Sequence, residues 1–184
     1  MKLVVLVPAI LVMVLASLVI AIYNRLVRLR IRCDESWASI DAQLKRRADL
    51  IPNLVETVKG YAAYEKGLIE EVTNARARAI SGGSMEERVA AEGMLSGALR
   101  NLFAVAEAYP ELKANTNFLQ LQESLAKIED DIQMARRYYN AVVRDYNAAI
   151  ETFPGNLFAG VFGFTPRHYF EVAEADREVV KVEF

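Results

Sequence analysis

The sequence predicts an all-α protein: an N-terminal transmembrane helix that continues into an antiparallel helical bundle of three to four helices. Three observations predict it. Residues 3–22 run for twenty positions without a charge. Beyond them, apolar residues recur at intervals of seven, the spacing of a packed helix seam. The 9 glycines and 5 prolines then fall largely at Gly82-Gly83, at Pro110 and across residues 154–166, leaving long stretches rich in Ala, Leu, Glu, Arg and Gln between them.

As a helix rising about 1.5 Å per residue, residues 3–22 reach about 30 Å, the thickness of a bilayer's hydrocarbon core. A retained anchor is the favoured reading. A signal peptide, with Lys2 as its basic end and a cut after Ala21, would carry a shorter apolar core, about 7–15 residues. A buried core helix this uniformly apolar would need a large protein wrapped round it, which 184 residues supply poorly. Arg25, Arg28, Arg30 and Arg32 follow the run and only Lys2 precedes it, a bias that favours a cytoplasmic C-terminal side and an N-terminus outside. Tyr23 falls at the expected depth of the membrane–water interface.

The helical pattern starts again at Leu26, with neither Gly nor Pro between Ile22 and Trp37, so the span is expected to form the lower part of one long helix. One row holds Leu26, Cys33, Ile40, Leu54, Tyr61, Leu68 and Ala75, broken by Arg47; a second holds Trp37, Leu44, Ile51, Val58, Val72 and Ala79, broken by Glu65. Pro52 interrupts both. The spacing Leu44–Ile51–Val58 keeps phase through it, which favours a kinked helix over a hairpin. That helix is expected to end near Ile80, before residues 81–84 (SGGS). Ser84 and Glu87 form a capping box for a second helix, which ends near Ala108 at Tyr109-Pro110. A third starts between Pro110 and Asn117, with Asn115 and Thr116 as capping candidates, and runs to about Thr152. A shorter helix at 166–176 and an extended tail at 178–184 complete the chain. The expected division is an anchor at 1–23, a bundle at 24–152, and a Phe/Gly-rich segment with short helix and tail at 153–184.

Composition narrows the chemistry. One histidine and one cysteine leave the usual zinc sites, the Ser-His-Asp and Cys-His triads and the paired Glu-x-x-His of di-iron bundles short of parts. No Gly-rich phosphate loop is present. No catalytic, cofactor-binding or metal-ligating residue is therefore assigned, no cofactor is expected, and the chain is read as non-enzymatic. Cys33 can form no internal disulfide. His168 reads as a surface or packing residue, and Asp130-Asp131 diverge on a helix. Lys45-Arg46-Arg47 could meet nucleic acid or lipid, but Asp41 and Asp49 one turn away favour a salt-bridged helix face. On the outer face of the third helix, pairs such as Glu123–Lys127 are expected.

Charge is uneven. Residues 1–60 carry nine Lys+Arg against five Asp+Glu, and residues 61–184 carry thirteen against nineteen. The basic half lies beside the proposed span, where an anionic leaflet would attract it, although the arginines need do no more than set topology. Residues 153–164 (FPGNLFAGVFGF) place four phenylalanines among glycines without a charge. Either they plug the end of the bundle or they expose an apolar patch to membrane or to another chain.

The residues just after the anchor (Tyr23-Asn24, Leu26-Val27, Leu29-Arg30), residues 43–47 (QLKRR), 49–62 (DLIPNLVETVKGYA), 104–115 (AVAEAYPELKAN), 117–123 (NFLQLQE), Tyr139-Asn140, Tyr146-Asn147 and 153–164 together resemble the LemA family. The resemblance covers essentially the whole chain. It implies a single-pass bacterial membrane protein of the cell (inner) membrane, with a short outer N-terminus and a cytoplasmic helical bundle, and it carries over no catalytic residue. It also implies kinship with proteins associated with magnetosome membranes. The expected function is a membrane-anchored scaffold or adaptor that binds protein partners, self-association included, without nucleic acid or small-molecule substrate. The alternative is a lipid-interacting protein of envelope stress or membrane organisation.

Overall fold

A computed structural model describes residues 2–61 and 65–170. Among them are six helices and no strand: α1 (Lys2–Lys59), α2 (Lys66–Ile80), α3 (Met85–Ala106), α4 (Pro110–Lys113), α5 (Thr116–Glu151) and α6 (Gly155–Ala159). The all-α expectation holds, and so does the long apolar N-terminal helix. That part of α1 is long and apolar enough to cross a membrane, and residues 6–18 of it are exposed.

The chain passes through Pro52 as helix, so the hairpin does not form. The helix is shorter than its seven-residue pattern suggests, however, and ends at Lys59, with Gly60 and Tyr61 in a turn before α2. Glycine costs a helix interior about 1 kcal/mol relative to alanine, and no proline or polar run reinforces that signal here. The long apolar phase on both sides hid the break.

Other boundaries were legible. Ser84 Oγ accepts from the Glu87 amide at 3.2 Å, and the Ser84 amide donates to the Glu87 carboxylate at 2.8 Å, the reciprocal capping box that starts α3. The turn before it needs left-handed backbone at Gly82 and Gly83, with φ of 74° and 132°. Asn115 Oδ1 accepts from the Phe118 amide at 3.0 Å and caps α5.

The contacts divide the chain into two units: Met1–Ala38 with Arg137–Tyr169, and Ser39–Arg136 with Phe170. In the second unit Ile51, Leu54, Val55 and Val58 of α1 share a core with Val72 of α2, Leu95, Leu99 and Leu102 of α3, Leu112 of α4, and Phe118 and Leu125 of α5. The rings of Phe103 and Phe118 meet edge to face at 6.0 Å. Tyr109 donates its hydroxyl to Glu65 at 3.1 Å, and Asn115 donates to the Tyr61 hydroxyl at 2.9 Å, so the α3–α4 corner is tied to the turn after α1. The sequence stretches at 49–62, 104–115 and 117–123 thus supply core and corners.

In the first unit, Leu26 and Cys33 of α1 are buried, as are Tyr139, Val142, Val143 and Tyr146 of α5. Trp37 packs against Tyr139 with ring centroids 5.6 Å apart. After α5 the chain turns through α6 and returns as an extended strap. The short helix expected at 166–176 is absent over 166–170, where the backbone is irregular; its remainder and the tail at 178–184 lie outside the described residues. The reason is local. Tyr146 donates to the Thr165 carbonyl at 3.0 Å, Tyr139 to the His168 carbonyl at 3.1 Å, and Asn147 exchanges two bonds of 2.9 Å with the Arg167 backbone. Those side chains take up backbone groups that a helix would pair within itself.

Candidate membrane interface

The apolar span, the basic residues after it and the Phe/Gly segment come together within the first unit. Ile22 and Leu26 are buried. Tyr23 points to the returning chain instead: its ring meets Phe162 at 5.0 Å and Phe164 at 5.9 Å, both edge to face, and Phe162 stacks on Phe158 at 6.4 Å. Arg30 lies over the Phe164 ring at 5.2 Å from its centroid. Residue 23 thus fixes the level of the segment against α1, two positions before the first arginine.

The four phenylalanines do different things. Phe164 is buried and Phe158 half-buried, which answers to the plug. Phe153 is 79 % exposed and Phe162 40 %, with Leu157 at 58 % and Val161 at 79 % beside them. These exposed apolar side chains contrast with the buried end of the same segment. Gly155 makes the tight return possible: a Cβ there would collide with the carbonyl oxygen of Ala149.

Behind the aromatic cluster, Arg167 of the strap pairs with Asp34 at 2.7 Å. Cys33 is buried beside this pair, and burial pushes its thiol above the ordinary value, with Arg167 pulling the other way. Since the thiolate is the reactive form, a maleimide will leave Cys33 unmodified in the folded chain and label it fully in denaturant. Labelling at equal rates in both would contradict this placement.

The second unit holds a charged group the sequence reading misplaced. Arg47 is no part of a solvated, salt-bridged face with Lys45 and Arg46; it is 1 % exposed, in the core row it was read as interrupting. Its guanidinium pairs with Glu92, with Glu129 at 2.7 Å and with Ser96 Oγ at 3.0 Å. Asp41 pairs instead with Arg88 at 2.7 Å. Burial raises the Glu92 carboxyl above its usual range although Arg47 draws it down. The network locks α1, α3 and α5 together. Glu123 and Lys127 form no pair. The side chain of His168 is exposed, as is Asp130. Among the described residues no group of three or more His, Cys, Asp or Glu is placed to hold a metal ion.

The arrangement defines a class: a helical protein with an N-terminal apolar helix fit to anchor it in a membrane, and an aromatic, basic collar at the end of that helix. Residues 36–184 match the LemA family, and the chain belongs to that family. Among its relatives, Magnetosome protein MamQ 2 of Paramagnetospirillum magneticum is 25 % identical over 175 residues, covering 81 % of this chain and 64 % of the relative. Magnetosome protein MamQ of Magnetospirillum gryphiswaldense is 24 % identical over 174 residues, covering 80 % and 64 %. Protein LemA of Metamycoplasma hominis is 27 % identical over 158 residues, covering 84 % and 71 %. The chain thus spans less than two thirds of the magnetosome proteins it matches.

Proposed function

We propose that this chain is a membrane-anchored, non-catalytic helical scaffold of the LemA type that binds protein partners, copies of itself included, at the cytoplasmic membrane. The observation that carries the reading is the exposed apolar group of Phe153, Leu157, Val161 and Phe162, held at the level of Tyr23 where the uncharged run ends. Such a group gives the protein a second foothold on the bilayer beside the span. Each side chain it buries is worth about 1.5–3 kcal/mol, enough to hold the segment in the interface. The arginine bias after the span supports a cytoplasmic domain and an outer N-terminus. The non-catalytic part of the reading is supported by the scarcity of His and Cys. A lipid-interacting protein of membrane organisation or envelope stress is the second reading, favoured by the same patch and by the magnetosome proteins among the relatives.

In-cell crosslinking with mass spectrometry tests the scaffold: defined membrane proteins will be captured reproducibly, and a chain that captures none is not an adaptor. The foothold has its own test. With Cys33 buried, a spin label can be placed at Val161→Cys alone in the full chain. In bilayer nanodiscs, dissolved oxygen will relax that label more than a water-soluble nickel chelate does. The opposite order would put the segment in water.

A further inference from the structure

The geometry points to a binding site for the phosphate of an anionic phospholipid, in a groove between the arginine face of α1 and the end of α5. The inference rests on reading residues 3–22 as a membrane span. Arg25, Arg28 and Arg32 line one wall of a groove of about 460 Å³, and Asp145, Ala148 and Thr152 line the other. Positions 25, 28 and 32 are three and four residues apart and so share one helix face, as do 145, 148 and 152. The fourth arginine of the collar, Arg30, is engaged over the Phe164 ring instead. A topology signal requires only an excess of positive charge on one side of the span; it does not require three arginines on one face, opposite an alanine that leaves the groove open.

Charge and depth both fit this occupant. None of Arg25, Arg28 and Arg32 has an ion-pair partner among the described residues. Against their three charges the other wall offers Asp145, itself 3.6 Å from Arg144, and the C-terminal end of α5, worth about half a negative charge. A positive surplus is therefore left, which packing does not neutralise. Along the helix Arg25 lies about 4.5 Å and Arg28 about 9 Å past Ile22, against a headgroup layer about 5–8 Å deep on each side of the hydrocarbon. The two guanidiniums lie where lipid phosphates lie, and fork-shaped donors suit phosphate oxygens.

The shared chemistry, a phosphate oxyanion, could also come from soluble phosphate, and the test separates the two. The full chain is purified in detergent with equal phosphatidylglycerol and phosphatidylcholine, and retained lipid is read by native mass spectrometry. Phosphatidylglycerol will be enriched roughly fivefold, the effect of about one well-placed basic contact. In Arg25→Gln/Arg28→Gln the enrichment will fall to roughly twofold or less. Ala148→Leu fills the groove without changing charge and will lower the enrichment equally, with helical content by circular dichroism unchanged. Enrichment that persists in Ala148→Leu would overturn the site and leave diffuse attraction only. Loss of bound phosphatidylglycerol to millimolar inorganic phosphate would overturn the lipid as occupant. All variants will float with neutral phosphatidylcholine vesicles, because the span is untouched. Wild-type protein that fails to float refutes the anchor itself, a result distinct from failure of the groove.

Discussion

Arg47→Ala will destabilise the Ser39–Arg136 unit by about 3–5 kcal/mol, because it strands the buried Glu92 carboxylate without its cation. Urea melts followed by far-ultraviolet circular dichroism will show it. The double variant Arg47→Met/Glu92→Leu will regain most of the loss, since apolar groups of similar volume replace a buried ion pair at little cost and the half-exposed Glu129 can turn to water. The pH dependence has a definite sign. The folded Glu92 carboxyl titrates above its unfolded value near 4.5, so between those two values the native state holds a proton that the unfolded state has lost. This residue's contribution to stability is therefore largest at and below 4.5 and is lost as pH rises through the folded value. Arg47→Ala removes the charge that draws the carboxyl down and so widens that window; Glu92→Gln abolishes it. A wild-type unit whose stability changes with pH as in Glu92→Gln would show that the carboxyl is unperturbed.

Gly155→Ala will loosen the other unit. The added methyl group meets the Ala149 carbonyl oxygen, a backbone atom that cannot turn aside, so α6 or the end of α5 must shift. Overpacking of this kind costs about 1–3 kcal/mol. The single tryptophan makes the effect separable: Trp37 lies in the Met1–Ala38 part of that unit, against Tyr139. Its fluorescence melt will shift down by a few degrees for each kcal/mol, about 2–4 °C in a chain of this size. Gly160→Ala, where a methyl group has open space, is the control. Equal melts for the two variants would remove the close approach as the reason for glycine at 155.

Much of this fold could be read from local chemistry. The uncharged run, the Ser84–Glu87 box, the Gly82-Gly83 turn and the Asn115 cap each depend on residues within a few positions of one another, and each is where the sequence puts it. What escaped depends on distance along the chain. Arg47 fell in a core row at intervals of seven, yet its charge read as an interruption, because Glu92 lies 45 positions away and Glu129 lies 82. No spacing rule connects such residues. The strap failed for the same reason: Pro166 looks like a helix start, but its neighbours bond to Tyr146 and Asn147 some twenty positions back. The interface was half legible. Tyr23, the arginines and the phenylalanines were each conspicuous, and only the return of the chain after α5 showed that Tyr23 selects Phe162 and Phe164 while Arg30 is drawn from its fellow arginines.

The contact of Tyr23 with Phe162 and Phe164 also sets an azimuth. Ile22, Tyr23 and Leu26 are committed to protein on one side of α1, and Val19, a turn earlier, is already half covered. The uncharged helix is therefore not free to spin about its own axis beneath the collar. Each of its side chains has an assigned compass bearing, so the flank opposite Val19 is the one left to lipid or to a neighbouring span. A single residue added between Ile22 and Leu26 would rotate that flank by about 100° and point a different set of side chains outward.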